Sequence, residues 1–154
     1  MSRKTEGEAL AAEMRRRLGV PEPASGPRVL LVLGYEPGKL DEIWFVRKNS
    51  LHGAALNAAG ARNAVPTPYQ GEPRLGQERV LELDPDVIFV LLRPGEERKE
   101  AAYLEDWQAL RGLSAVKNKR VRPIAVAEAF ANGPRILTLV DRLHAELRAL
   151  GALQ

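Results

Sequence analysis

The sequence predicts an α/β domain: three layers, with a mostly parallel sheet covered by helices on both faces. Three observations carry this. The runs "RVLLVLG" and "DVIFVLL" are almost wholly apolar and partly β-branched, as in strands buried on both faces of a parallel sheet. Segments with apolar residues at helical spacing alternate with these runs along the chain. With 154 residues the chain is long enough to bury one real core.

Taken in order, residues Glu8 to Leu18 set Leu10, Met14, Arg17 and Leu18 on one helical face, and Gly19 and Pro21 stop the helix. "PEPASGP" (Pro21 to Pro27) is a linker. Arg28 to Gly34 is the first strand. After the polar loop "YEPGKLDE", Ile43 to Val46 forms a second strand. Ser50 is placed to cap a helix over Leu51 to Ala59, and Gly60 ends it. Arg62 to Pro73 is loop, with a short extended piece at Asn63 to Val65. Gln77 to Leu83 is a short helix with Val80, Leu81 and Leu83 inward, stopped by Pro85. Asp86 to Leu92 is the third strong strand. Glu96 to Leu113 reads as a single helix with Tyr103, Leu104, Trp107 and Leu110 at helical spacing. Val121 to Ala127 is a strand that Pro123 assigns to an edge or a bulge. Pro134 to Leu150 is the last helix, with Ile136, Leu139, Val140, Leu143 and Leu147 as its buried stripe.

Composition excludes several classes of function. There is no cysteine, hence no disulfide, thiolate metal site or cysteine nucleophile. No apolar run approaches the roughly 18 residues of a membrane span, and "MSRKTEGEALAAEMRRRLGV" lacks the apolar centre of a secretory signal. The net charge of +3 is interspersed, and the eight aromatics are scattered, so the basic stripe with stacking rings that nucleic acid requires is missing. "GYEPG" lacks the third glycine of a dinucleotide loop, no G-K-S/T follows, and no G-x-S-x-G elbow exists. His52 and His144 lie on different helices without a carboxylate at metal-ligand spacing. The expectation is a protein without catalysis, metal or cofactor. The enzyme reading that competes with it would rest on Glu36, Asp41 or a histidine.

Ligands of open α/β sheets sit outside the carboxyl ends of the strands. Read off the sequence, those ends are Gly34 to Gly38, Arg47 to Asn49, Arg93 to Gly95 and Glu128 to Gly133. Their loops bring Tyr35, Arg47, Lys48, Asn49, Arg93, Phe130 and Asn132 to one rim. Aromatic and amide groups with cations suit a large, partly anionic organic molecule. The competing reading is ordinary loop polarity that caps helices.

In their order and spacing, "RVLLVLG", "WFVRKNSLHGAALNAAGARNAV", "LGQERVLELDPDVIFVLL", "LSAVKNKRVRPI" and "GPRILTLVDRL" resemble the C-terminal lobe of the helical-backbone substrate-binding proteins. These serve ABC importers of vitamin B12, haem and ferric siderophores. The resemblance covers nearly the whole chain, and "LNAAGARNAV", "ERVLELDPDVIFV" and "LSAVKNKRV" are its most specific pieces. It implies one lobe of a periplasmic-binding-protein-like fold over residues 28–154, preceded by a linker (21–27) and by the end of an interlobe helix (1–20). It also implies a metal-chelate ligand (corrinoid, haem or ferric siderophore) and an ABC permease as partner. A missing N-terminal lobe or a second copy would complete the clamp. Glu78 matches the glutamate that pairs with permease arginines. The location implied is periplasmic or extracytoplasmic, or the cytoplasm if the chain is complete. The alternative is a stand-alone cytoplasmic interaction module derived from the same lobe.

Overall fold

In the computed structural model, residues 3–65, 74–127 and 135–153 are described. The order is α1 (Arg3–Leu18), β1 (Arg28–Gly34), β2 (Ile43–Phe45), α2 (Leu51–Ala58), β3 (Arg62–Asn63) and β4 (Arg74–Leu75). It continues with α3 (Gln77–Leu83), β5 (Val87–Leu92), a 3₁₀ turn (Glu97–Lys99), α4 (Glu100–Gln108), α5 (Ser114–Lys117), β6 (Val121–Ala125) and α6 (Ile136–Ala149).

The sheet runs β4-β2-β1-β5-β6, with β3 also paired to β1. β1, β3, β5 and β6 are parallel, whereas β2 is antiparallel to both β1 and β4. The sheet is therefore mixed: a parallel centre with an antiparallel margin. All six residues of β5 are buried, because it lies between β1 and β6 with helices over both faces. Alternation along the strands splits the core in two. Val29, Leu31, Val87, Phe89 and Leu91 face α2 and α6. Leu30, Val32, Ile88, Val90 and Leu92 face α3, α4 and α5. This is the three-layer arrangement the sequence predicts.

The stripe on α6 is buried at all five expected positions. β6 is one of the two edge strands among the described residues, where the Pro123 nitrogen needs no partner. On α3, Val80 and Leu83 face inward but Leu81 is exposed, since a seven-residue helix offers one narrow apolar strip. The single helix expected from Glu96 to Leu113 is instead a 3₁₀ turn running into α4, which ends at Gln108. After Gln108 the chain turns so that Leu113 can enter the core, and the side chain of Asp84 starts α5 by accepting from the Ser114 amide and hydroxyl. The first helix begins earlier than expected. Residues 3–10 of α1 are all exposed, and Met14, Leu18 and an Arg17–Asp141 ion pair of 2.6 Å attach its second half to the lobe.

Candidate ligand-binding site

β1 ends at Gly34 and β5 at Leu92, side by side and parallel, and together they define the carboxyl rim. β2 runs the other way, so its first residues, not its last, stand at that rim: Trp44 pairs with Gly34. Its exit leads back along β1, where the Val46 amide donates to the Leu31 carbonyl at 2.9 Å. The loop at Arg47, Lys48 and Asn49 therefore does not join Tyr35 and Arg93, as the sequence reading expected. Lys48 instead pairs at 3.1 Å with Glu22, in the segment that leads into β1. The Arg47 carbonyl accepts from Ser50 Oγ, which in turn caps α2 through the Gly53 amide. The physical reason is strand direction. A parallel β2 would have put these residues on the rim, and an antiparallel one removes them. Phe130 and Asn132 lie outside the described residues.

A cavity of about 320 Å³ opens at the rim, lined by Leu33, Gly34, Tyr35, Trp44 and Arg93. Beside it a depression of about 520 Å³ is lined by Tyr35, Glu36, Lys39, Asp41, Glu42 and Trp44. Tyr35 and Trp44 form the shared wall. The structure thus brings two of the expected residues together, Tyr35 and Arg93, and adds Trp44.

Tyr35 does not present its ring for stacking. The ring packs edge-on against Tyr103, with centroids 4.9 Å apart, and against Trp107 at 6.2 Å. Its hydroxyl donates to Asp106 Oδ2 at 3.1 Å. Burial, and then the Asp106 carboxylate, push the Tyr35 phenol far above its usual range. The same Asp106 oxygen accepts from the Gly38 amide at 2.8 Å. Asp106 therefore pins the loop after β1 at two points. Tyr103 adds a third, donating its hydroxyl to the Tyr35 carbonyl at 2.9 Å.

The loop after β5 is fixed by its own carboxylates. Glu96 accepts from the Arg93 amide at 2.9 Å and Glu97 from the Gly95 amide at 2.9 Å. The Arg93 amide, then Lys99, hold the Glu96 carboxyl below its usual range. Both rim loops are preorganised, and preorganised walls reduce the ordering cost of binding.

Trp44 is the residue that the sequence reading passed over. It is 40% exposed between the buried Ile43 and Phe45. The signal was present in "IWF", since period-two alternation with two buried neighbours turns the indole outward. Arg74, its partner on β4, lies over the ring at 5.5 Å from the centroid. Glu42 pairs with Arg74 at 3.6 Å.

Glu36 is not poised for proton transfer. Glu36 is exposed and bonded to Lys39 at 2.8 Å, which holds its carboxyl below the usual range. General acid–base work at neutral pH calls for the opposite shift. His52 is half-buried on α2, whereas His144 is exposed with Nδ1 3.1 Å from the Ala59 carbonyl oxygen. Among the described residues, no group of three His, Cys, Asp or Glu could hold a metal ion. Glu78 is exposed in the first turn of α3.

No protein-family model matches the chain, and no curated protein matches it. Solved structures do. The periplasmic haem-binding protein BhuT, seen with two haems, is 25% identical at a TM-score of 0.65, over 93% of this chain and 55% of its own. The periplasmic vitamin B12-binding protein BtuF of Vibrio cholerae is 22% identical at a TM-score of 0.63, over 94% of this chain and 51% of its own. An ABC-type Fe3+-hydroxamate transport protein of Saccharomonospora viridis is 20% identical at a TM-score of 0.66, over 91% of this chain and 48% of its own. The fold is one lobe of a periplasmic binding protein. The lobe spans about half the length of the proteins it resembles. Two of those neighbours are named as periplasmic binding proteins and the third as part of an ABC-type transport system, and none of them is named for a catalytic activity.

Proposed function

We propose that the chain is the C-terminal lobe of an extracytoplasmic receptor that delivers a metal-chelate nutrient to an ABC importer. The nutrient is a corrinoid, a haem or a ferric siderophore. The lobe binds and does not catalyse. One observation carries this reading: a binding-protein lobe, matched over nine-tenths of the chain, holds a cavity walled by Trp44, Tyr35 and Arg93 at its carboxyl rim. Ligands of open α/β sheets are found at that rim. Residues 1–20 would be the end of the helix between lobes. The fully exposed stretch 3–10 suits a segment that a second lobe covers. A lone lobe offers one jaw of a clamp, so affinity should rise when an N-terminal lobe or a second copy faces it.

Calorimetric titration with cyanocobalamin, haem and a ferric hydroxamate tests the reading. Binding of one of the three is expected. Silence across the panel up to about 1 mM, the weak end of useful affinity, removes the ligand class.

Glu78 is proposed as the contact to the permease. It is exposed, and an exposed charge at an interface rim governs encounter and register more than affinity. Glu78→Arg should leave ligand titration unchanged and slow import in cells. Unchanged import would retire that role and leave Glu78 as a complement to the α3 dipole.

A further inference from the structure

The wall formed by Trp44 is built rather than incidental. Ile43 and Phe45 are buried on either side of it, so the indole stays on the outer face of β2. On one flank its cross-strand neighbour is Gly34, where an added Cβ would meet nothing within 4 Å, so the ring borders open space. On the other flank the Arg74 guanidinium lies over the ring, and Glu42 restrains that guanidinium. A cation held over an indole is attracted by the ring quadrupole and limits the angles the ring can take. Arg93, at the end of β5, lines the cavity that Trp44 walls.

We infer that Trp44 is a stacking platform for a planar conjugated ligand bearing an anionic group. Arg74 is the positioning residue that holds the ring, and Arg93 is the counter-charge. This inference rests on the proposed function and narrows it. A flat indole distinguishes a planar conjugated molecule from a compact, saturated chelate, because only the former can lie on it face to face. An arginine at the cavity wall favours a carboxylate edge. The cavity wall holds no His or Met among the described residues, and the Tyr35 hydroxyl is committed to Asp106. The described wall of this cavity therefore offers a surface to an organic plane and no ligand to a metal. A metal-free ligand should bind as well as a metal-loaded one.

The test is titration with metal-free deuteroporphyrin IX, its dimethyl ester, cyanocobalamin and ferrioxamine B. Binding is read by absorbance of the chromophores and by quenching of Trp44, against the fully buried Trp107 as reference. The diacid should bind, and its ester more weakly. Trp44→Ala should weaken the diacid about tenfold, as loss of one stacking ring does, and Trp44→Phe should restore most of it. Arg74→Met should weaken it several-fold, and Trp44→Ala/Arg74→Met should be no weaker than Trp44→Ala alone. That non-additivity marks action through the ring. Diacid binding unaffected by Trp44→Ala would overturn the inference. So would binding of ferrioxamine B or cyanocobalamin without the porphyrin, while leaving the proposed function standing. If none of the four bound, the inference would fall, and the proposed function would fall with it only if haem were silent as well.

Discussion

Asn63 shows how one side chain decides the local path of this chain. It is the one buried polar residue among those described. Its Nδ2 donates to the Val46 carbonyl at 2.9 Å, and its Oδ1 accepts from the Val65 amide at 3.0 Å. It therefore ties the exit of β2 to β3. Asn63→Asp removes the donor, leaves the Val46 carbonyl unsatisfied and buries a charge. A loss of about 1–3 kcal/mol is expected in urea unfolding, whereas an unchanged midpoint would show that the tie is dispensable. Asp84 does comparable work from a left-handed backbone (φ 43°), joining the end of α3 to the start of α5. The Ser114 amide, then the Ser114 hydroxyl, hold its carboxyl below the ordinary value of 3.8. A depressed carboxyl stabilises the fold above its unfolded pKa and loses that contribution as pH falls through the folded one. Asp84→Ala should thus lower thermal stability at pH 7, and the gap to wild type should close below about pH 4. A gap independent of pH would assign the effect to backbone strain. Gly53 is a third such position. A Cβ there would come within 2.4 Å of the Arg47 carbonyl oxygen and 2.6 Å of that of Lys48. Both contacts are backbone, so Gly53→Ala must displace the loop or α2, at about 1–3 kcal/mol, measurable as a shift in the denaturation midpoint.

Elements with a long or strongly patterned sequence were legible, and elements whose direction is set by distant partners were not. β1, β5 and the α6 stripe could be read from the chain, because burial on both faces or on one stripe leaves a run or a period in the residues themselves. Three residues of β2 carry no mark of direction. Their antiparallel pairing is set by a connection, residues 35–42, too short for a parallel crossover, and by Ile43 and Trp44 meeting Leu75 and Arg74 far along the chain, and it was this that displaced Arg47 and Asn49 from the rim and put Trp44 there. The break after α4 was equally hidden, since the Asp84 side chain that starts α5 comes from 30 residues away. Half of α1 behaves as a separate case. Residues 3–10 are exposed throughout, so their deletion should leave the melting temperature of the lobe unchanged by differential scanning fluorimetry. A fall of several degrees would mean that the segment packs on the lobe in solution.

At the scale of the molecule, two half-cores on either side of a buried β5 make a rigid slab. The slab holds two pinned loops and an outward indole along one edge. A rigid slab with a preorganised edge suits a clamp jaw that closes on a ligand without remodelling itself. The candidate site was legible in part: the rim and its Tyr35 and Arg93 follow from the fold class, but the role of each side chain depended on packing. Trp107, fully buried beneath Tyr35, draws the tyrosine ring inward and leaves stacking to Trp44. The proposed function puts the ligand along this edge. Hydrogen exchange of the chain with and without cyanocobalamin, haem and a ferric hydroxamate tests it most directly. One of the three should slow exchange at residues 33–44 and 92–96 and leave residues 47–63 unchanged. No slowing with any of them, or slowing confined to 47–63, would contradict it.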